Sequence, residues 1–239
     1  MVSPEAATKA LVGWLERLEG GQTKTIERQK IVVPLVGDEP QPRARKARYG
    51  DFSVMNQRWN HGRSEKTHER LQADPTEWQQ YHTLYRAARA SWAVVPYEVI
   101  AEQLKKMRAG KVVGDFGCGE AELGKRLHGH HTVHSFDHVA VDESVVACDL
   151  VEVPLADHAL DVAVFSLSLM GANAADYLRE AHRCLDFAGK LILVEADSRI
   201  RDQERFQCQL RALGFNVSDI ERKGQFLFVT AEKADRVPR

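Results

Sequence analysis

Residues 112–120 read Val-Val-Gly-Asp-Phe-Gly-Cys-Gly-Glu, and this stretch decides the predicted fold. A short apolar run ends at Asp115, and glycines follow at positions 117 and 119. Glycines let a turn pass close beneath a ligand, and the backbone amides at the start of the next helix point toward that ligand. We therefore predict a strand over residues 112–116, a ligand-binding turn, and a helix over residues 120–128.

Downstream of this turn, short apolar segments alternate with segments of helical periodicity. Strands are predicted at 132–136, 145–148, 160–167, 191–194, 215–217 and 226–230, and helices at 174–185 and 201–213. Such alternation is typical of a mostly parallel, doubly wound sheet. The last two strands have no helix between them, so they should pair as an antiparallel hairpin. The expected fold is α/β and Rossmann-like, with seven strands.

Upstream of the turn, the sequence predicts a helical region behind an extension. Helices are expected over 64–72, from Asp74 onward, and from Pro96 to Gly110, because capping residues, prolines in the first turn and apolar spacing coincide there. The resulting division is an N-terminal extension over 1–63, a helical cap over 64–110 and an α/β domain over 111–233.

The extension carries few periodic signals. A helix is predicted over 3–19 and a short strand over 31–36. The basic run at 43–48 is expected to be an exposed linker, and residues 51–70 are expected to be polar and irregular up to the first cap helix. Residues 1–60 are also the part of the chain assigned to a possible protein partner.

The charge of the chain is divided unevenly along its length. The whole chain has a net charge of −1, yet residues 1–111 carry 19 Lys and Arg against 13 Asp and Glu, whereas residues 112–239 carry 14 against 21. A basic half beside an acidic half indicates that one part meets a polyanion.

Several protein classes are excluded by the sequence. The apolar runs are far shorter than the roughly 18 residues that a membrane span needs, and the first residues are too charged for a secretory signal. The four cysteines lie far apart, without the paired spacing of a zinc site or a disulfide framework. We expect an intracellular protein without a membrane partner, nuclear or nucleolar in a eukaryote and cytoplasmic in a prokaryote.

The residues of the glycine-rich turn distinguish between cofactors. A dinucleotide site favours a third glycine, but Glu120, Ala121 and Glu122 follow Gly119 here. Two acidic side chains beside the turn would repel a pyrophosphate, whereas a cofactor with an amino group and a sulfonium tolerates them. This difference favours S-adenosylmethionine over NAD, with Asp115, Gly117 and Gly119 as candidate cofactor-binding residues.

Two further acidic residues end the next two predicted strands. Asp137 lies 22 residues after Asp115, where a carboxylate can accept both ribose hydroxyls. Asp149 ends the third strand, where its carboxylate and the backbone amide of Leu150 can recognise the N6 amine and N1 of an adenine. Three acids at three successive strand ends form a much more specific pattern than the turn alone.

These motifs resemble those of the nucleomethylin family, the nucleolar ribosomal-RNA-processing adenine methyltransferases. The similarity covers about residues 65–231. The matching segments are 115–119 (Asp-Phe-Gly-Cys-Gly), 133–137 (Val-His-Ser-Phe-Asp), 148–150 (Cys-Asp-Leu), 153–155 (Val-Pro-Leu) and 161–171 (Asp-Val-Ala-Val-Phe-Ser-Leu-Ser-Leu-Met-Gly). Two departures are visible: Asp186 to Lys190 replace the family's Pro-Gly-Gly turn, and residues 1–60 match nothing in it.

The resemblance implies roles for individual residues and an acceptor. His82 would reach the cofactor from the helical cap, and Ser166 would contact it at the end of the fourth strand. Gly117, Asp137, Asp149 and Leu150 would keep the roles already described. The implied reaction is methylation of adenine N1 in structured, ribosomal RNA.

Position along the predicted strands and helices indicates candidates for holding the acceptor. N1 of adenine is already a nucleophile, so the main task is to orient a base that has left its helix. Met170 and Phe226 are candidate surfaces for the base, and Ser168 and Asn173 are candidate hydrogen-bonding partners. Arg86 and Arg89, on the predicted cap, are candidate RNA contacts.

Two alternative functions remain open at this stage. One is a methyltransferase that acts on DNA, protein or a small molecule, and the other is a non-catalytic module that binds the cofactor and recruits a partner. A histidine-rich segment at 128–138 is interpreted as a surface loop, because no Cys or carboxylate completes a metal-ligand spacing there, so no metal is expected.

Overall fold

The computed structural model describes residues 42–234. The helix predicted at 3–19 and the strand predicted at 31–36 lie outside these residues. None of the helices that are described combines the length and the apolarity needed to cross a membrane.

The α/β part is a seven-stranded sheet in the order β3-β2-β1-β4-β5-β7-β6. All pairings are parallel except those of β7, which is antiparallel to both β5 and β6. The strands are β1 (Val112–Phe116), β2 (Thr132–Asp137), β3 (Val145–Ala147), β4 (Leu160–Ser166), β5 (Leu185–Ala196), β6 (Phe215–Lys223) and β7 (Phe226–Lys233). The predicted Rossmann-like fold with an antiparallel last hairpin is therefore confirmed.

Helices cover both faces of this sheet. Within the α/β part they are α6 (Glu122–Leu127), α7 (Ala174–Cys184) and α8 (Gln203–Ala212). One buried apolar cluster includes Phe116, Phe165 and Phe215, and a second includes Ile100, Val164 and Ile192. Because the central strands are buried on both faces, they read as continuous apolar runs, which is why their positions were predictable.

The helical part precedes β1 and consists of five helices within the described residues. They are α1 (Pro42–Tyr49), α2 (Phe52–His61), α3 (Ser64–Ala73), α4 (Pro75–Arg89) and α5 (Pro96–Lys105). A separate buried cluster joins Tyr49, Met55, Trp59, Leu71, Trp78 and Tyr81, with Val139 from the α/β part. From here on, the helical cap means α1 to α4 instead of the predicted range 64–110, because the cluster of these four helices packs against the loop that follows β2.

Two of the predictions for the N-terminal part are wrong. The basic run at 43–48 is helix α1 instead of an exposed linker, and residues 51–70 form α2 and the start of α3 instead of an irregular segment. Asp51 caps α2 by accepting a hydrogen bond from the amide of Val54. The apolar spacing in these helices is sparse, since α2 buries only Met55 and Trp59, and tertiary contacts supply the remaining stabilisation.

The last three strands of the chain, β5 to β7, are longer than predicted. β5 begins at Leu185, where it pairs with Leu160, and a register shift in the pairing between Leu160 and Val162 accommodates the segment 186–190. That segment contains Asp186 and Gly189, residue types that favour turns. In the structure Ala188 has a positive φ, so the backbone does turn locally. Pairing with β7 carries β5 on to Ala196.

A buried carboxylate connects three helices of the cap. Glu77 of α4 is 3% exposed and accepts hydrogen bonds from the indole of Trp59 at 2.8 Å, from Arg58 at 2.9 Å and from Arg70 at 3.1 Å. Charged hydrogen bonds to a buried group stabilise more than neutral ones. Glu77 therefore connects α2, α3 and α4 through one side chain.

Replacing Glu77 by glutamine should destabilise the protein strongly. We expect Glu77→Gln to lower the free energy of unfolding by about 2 kcal/mol, because the two arginines lose their anionic partner. Urea denaturation measures this change. Glu69→Gln, which removes only the exposed pair with Lys66, is the matched control and should leave stability nearly unchanged. Equal effects of the two substitutions would contradict the role assigned to Glu77.

Candidate active site

A pocket lies at the carboxyl edge of the sheet, beneath the helical cap. Ten of the fourteen residues singled out from the sequence line it. They are His82, Arg89, Asp115, Gly117, Gly119, Asp137, Leu150, Ser166, Ser168 and Met170. Carboxyl ends of parallel strands meet at one edge of an α/β sheet, so residues far apart in sequence converge there.

The glycine-rich turn passes so close to its neighbours that side chains are excluded. Gly117 has φ of +77°, and a Cβ atom there would lie 2.4 Å from the Cβ of Ser168. Gly119 has φ of +56°, and its Cβ would lie 2.7 Å from the Cε1 of His82. Both positions require glycine on two counts, backbone conformation and space. The turn is thus held between the β4 loop and the helical cap.

The carboxylate of Asp137 is the polar centre of this region. It is 7% exposed, and it accepts hydrogen bonds from the amide of Gly119 and from the indole of Trp78, both at 2.8 Å. Trp78 in turn stacks on His82, with ring centroids 3.8 Å apart. One buried carboxylate therefore connects β2, the glycine-rich turn and helix α4.

Asp115 lies at the pocket in an unusual electrostatic environment. Burial, together with the nearby charge of Asp137, raises the pKa of the Asp115 carboxyl to about 7. Burial also lowers the pKa of His82 to about 4, so that imidazole is neutral near pH 7. A cation placed beside Asp115 would stabilise its ionised form.

One face of α4 forms the cap side of the pocket. Tyr81, His82, Tyr85 and Arg89 line it, and they recur at spacings of one to four residues along the helix. Of these four residues, the sequence predicted a site role only for His82 and Arg89. The guanidinium of Arg89 lies 5.8 Å from the ring of Tyr85 and 5.2 Å from that of Tyr97, so its plane is supported by two aromatic rings.

The loop after β4 forms the opposite wall. Ser166 ends the strand, and Leu167 has φ of +59°, a conformation that non-glycine residues rarely adopt. The amide of Leu167 donates to Val194 at 2.9 Å, and the hydroxyl of Ser168 donates to the backbone oxygen of Phe116. These contacts hold a strained residue in place at the pocket, and such strain is common at functional sites.

The next residue of this loop is held by an ion pair. Glu195, at 3% exposure, accepts from the amide of Leu169 at 3.1 Å and from Arg199 at 2.7 Å, and Arg199 donates to the backbone oxygen of Leu169 at 2.9 Å. Both backbone groups of Leu169 are therefore satisfied by one pair of side chains. Arg199 is not among the site residues predicted from the sequence.

The structure puts four predicted residues outside the pocket lining. Phe226 is 2% exposed and packs against Trp92 in the core, so its prediction as a surface for the base is wrong. Asn173 is 8% exposed and bonds to Ser64, so it does not face an acceptor. Asp149 also bonds to Ser64. Arg86 lies at the rim, paired with Glu120.

The predicted surface loop of histidines is only partly correct. His131 is buried and contacts the backbone oxygen of Leu104, and His138 pairs with His68 of the helical cap at 3.2 Å between Nδ1 atoms. Within residues 42–234, no three His, Cys, Asp or Glu side chains are grouped so as to hold a metal ion. All four cysteines are free thiols, and burial raises the pKa of the Cys118 thiol beside the turn.

A family described as "hypothetical methyltransferase" matches residues 40–239. The chain belongs to this methyltransferase family. The match begins near α1 and includes the helical cap as well as the sheet, so the cap is part of what the family shares. The expectation that residues 1–60 match nothing in the family is therefore wrong for residues 40–60.

Several curated relatives of this chain are named for ribosomal RNA. Ribosomal RNA-processing protein 8 of Dictyostelium discoideum is 37% identical over 73% of this chain and 45% of that protein. The 25S rRNA (adenine(645)-N(1))-methyltransferase of Schizosaccharomyces pombe is 36% identical over 72% of this chain and 58% of that protein. The chain spans about half the length of the curated relatives that it matches.

A solved structure confirms that methyltransferases share this fold. The 1,6-didemethyltoxoflavin-N1-methyltransferase of Burkholderia thailandensis, determined with S-adenosylhomocysteine, has a TM-score of 0.52 and 21% identity. The match covers 66% of this chain and 87% of that one. At this identity the likeness describes the fold alone.

The close approach at Gly117 leads to a prediction about stability. We expect Gly117→Ala to lower the free energy of unfolding by about 2 kcal/mol or more, because a left-handed backbone and a collision with Ser168 act together. Gly129→Ala is the matched control, since Gly129 has φ of +79° but open space around its Cβ position. That variant should lose only about 1 kcal/mol. Thermal and urea unfolding provide the comparison, and equal losses would contradict the crowding at the turn.

Proposed function

We propose that this protein is an S-adenosylmethionine-dependent methyltransferase that methylates N1 of an adenine in ribosomal RNA. The observation that carries the proposal is the convergence of the glycine-rich turn with carboxylates at the ends of β1 and β2 and just beyond β3, in the pocket region at one edge of the sheet. These carboxylates belong to Asp115, Asp137 and Asp149. The acceptor is argued separately, from the helical cap and from the relatives.

The donor groups at the pocket fit this cofactor better than a dinucleotide. Because Gly117 and Gly119 have no Cβ, the turn packs directly against Ser168 and His82 at the pocket, and carboxylates there suit hydroxyl, amino and cationic groups. Glu120 and Glu122 also line the pocket and would repel a pyrophosphate. When bound, S-adenosylmethionine supplies a methyl group on a positively charged sulfur.

The assignments within the cofactor site follow the order of the strands. Asp137 has two oxygens with free lone pairs for ribose hydroxyls, even while it accepts from Gly119 and Trp78. Leu150 lines the pocket beside Asp149, and together they would recognise the adenine. His82, neutral and stacked on Trp78, would close the site from the cap side.

On the acceptor side, the protein has to orient the adenine base and does not have to remove a proton from it. N1 of a neutral adenine carries a lone pair, so no general base is required, and alignment with the methyl group lowers the barrier. Ser168 and Met170 remain candidates for this task. In place of Phe226, the rings of Tyr85 and Tyr97, with Arg89 beside them, offer a surface on which an unstacked base can lie.

RNA as the acceptor is supported by charge and by the relatives. The N-terminal half of the chain is basic, and Arg89 of the cap lines the pocket. Cationic side chains around a pocket attract the phosphate backbone. The names of two relatives specify ribosomal RNA, and one specifies adenine N1. Action on ribosomal RNA would locate the protein to the nucleolus of a eukaryote or to the cytoplasm of a prokaryote.

Methyl transfer from labelled cofactor to separate pools of RNA, DNA and protein tests the proposal. We expect label in RNA, recovered as 1-methyladenosine after digestion to nucleosides. Label in DNA, protein or small molecules only would overturn the acceptor, and cofactor binding without transfer to any pool would favour a recruitment module.

Ser166→Phe provides the inactive control for that assay. Ser166 lies at the pocket at the end of β4, and a phenyl ring there would fill space that the cofactor needs. We expect calorimetric titration to detect no cofactor binding by this variant and the transfer assay to detect no product. Unchanged affinity would contradict the position assigned to the cofactor.

The raised pKa of Asp115 predicts a pH dependence of cofactor binding. A cationic group of the cofactor would bind beside the ionised form of Asp115. The fraction of protein in which Asp115 is ionised rises from about one-tenth at pH 6 to about nine-tenths at pH 8. We therefore expect the affinity for S-adenosylmethionine to rise about tenfold over this interval. The same carboxyl has the opposite effect on the free protein, whose stability it lowers as pH rises through 7.

The variant Asp115→Asn isolates this titration. Calorimetry at pH 6, 7 and 8 should give a flat affinity for the variant, because asparagine does not ionise. S-adenosylhomocysteine distinguishes the cationic groups, since it keeps the amino group and lacks the sulfonium. A variant with the same pH slope as the unmodified protein would assign the titration to a different group.

A further inference from the structure

A hydrogen-bonded contact joins the helical cap to the two loops that follow β3 and β4. The hydroxyl of Ser64 donates to Oδ2 of Asp149 at 2.8 Å, and Nδ2 of Asn173 donates to the same hydroxyl at 2.9 Å. The amide of Ser64 donates to Oδ1 of Asn173 at 2.9 Å. We call this group of three residues the Ser64 clasp.

Ser64 and Asn173 of the Ser64 clasp are buried, and both the hydroxyl and the amide of Ser64 have hydrogen-bond partners. Ser64 is 1% exposed and Asn173 is 8% exposed. Just before Ser64, the backbone oxygen of Gly62 accepts from the amide of Ala172 at 2.8 Å, which adds a second cap-to-loop bond. Buried polar groups that are all satisfied favour one arrangement strongly, because any shift leaves a donor or acceptor unpaired.

The clasp orients the carboxylate of Asp149 and leaves acceptor sites free on both of its oxygens. Oδ2 accepts from Ser64, and Oδ1 accepts from the amide of Val151 at 3.3 Å. Each carboxylate oxygen has two acceptor sites, so one remains on each oxygen. With both oxygens held, the plane of the carboxylate is set, and the free acceptor sites keep a constant direction.

We propose that Ser64, supported by Asn173, is a positioning residue that orients Asp149 toward the N6 amine of the cofactor's adenine. This inference rests on the proposed function, because it needs Asp149 to recognise an adenine. It assigns to Asn173 a role different from the acceptor contact expected from sequence. It also makes the first residue of α3 a determinant of cofactor affinity, although Ser64 does not line the pocket.

The clasp also gives the helical cap a specific connection to the cofactor site. Ser64 begins α3, which packs beside α4, and α4 carries Trp78, His82 and Arg89. A cap displaced by acceptor or by mutation would therefore release Asp149. The Ser64 hydroxyl therefore couples cofactor affinity to the position of the cap, in addition to the hydrogen bond from Trp78 to Asp137.

Two ligands that differ only at position 6 of the purine test this role. S-adenosylhomocysteine carries the N6 amine, and S-inosylhomocysteine carries a carbonyl oxygen in its place. We expect the unmodified protein to prefer the adenine ligand, and Ser64→Ala to reduce that preference by about tenfold, because an unfixed carboxylate loses its directed hydrogen bond. Calorimetric titration of the full chain measures both affinities.

Three further variants make the result specific. Asn173→Ala leaves the Ser64 hydroxyl in place but removes its support, so it should reduce the preference by a smaller factor. Ser64→Thr keeps a hydroxyl group and should retain most of the preference for the adenine ligand. Ser144→Ala is the matched control, since that serine also donates to an aspartate, Asp142, but at the amino end of β3, the edge opposite the pocket. It should bind both ligands as the unmodified protein does.

The outcomes separate this inference from the function on which it rests. No binding of S-adenosylhomocysteine by the unmodified protein overturns the proposed function itself. Normal binding with an unchanged preference in Ser64→Ala overturns only the role of Ser64. An equal loss for both ligands in Ser64→Ala and Asn173→Ala shows a purely structural contact, which also overturns the inference. A loss confined to the adenine ligand supports it.

Discussion

The contact of Asp137 with Trp78 and Gly119 is the constraint on which the rest of the site depends. A buried carboxylate needs hydrogen-bond donors, and here the donors come from two different parts of the chain, the glycine-rich turn and the helical cap. Satisfying this one group therefore fixes the turn beneath α4. The tight approach of His82 to Gly119 follows from the same arrangement.

The sheet and the strand-end residues were predictable because their signals are local. Apolar runs indicate buried strands, and the glycine at position 117 indicates a backbone conformation that only glycine adopts easily. The wrong predictions have non-local causes. Phe226 was assigned by its position near a strand start, but packing against Trp92 decides its place, and no spacing rule indicates which face of the sheet it joins. Helices α1 and α2 were missed because buried polar contacts, such as those of Glu77, complement their sparse apolar spacing.

The fold separates the acidic and basic halves of the chain around the pocket. Several carboxylates of the acidic half are buried at the pocket, where burial and the charge of Asp137 raise the pKa of the Asp115 carboxyl. Arginines of the basic half lie on the helical cap, at or near the pocket rim, and Arg89 rests against tyrosine rings. A chain of nearly zero net charge therefore presents cations toward the pocket opening while it concentrates acidic groups inside.

The loop between β4 and α7 is held at both ends, and this has a consequence for how ligands are accommodated. Glu195 and Arg199 hold it near Leu169, and the contact between Asn173 and Ser64 holds it four residues later. A wall that is ordered in advance requires no loss of conformational freedom when a ligand arrives. Adaptation to acceptors of different shape then falls to the opposite wall, on α4, so acceptor preference can diverge through helix substitutions while the strand-end loop stays constant.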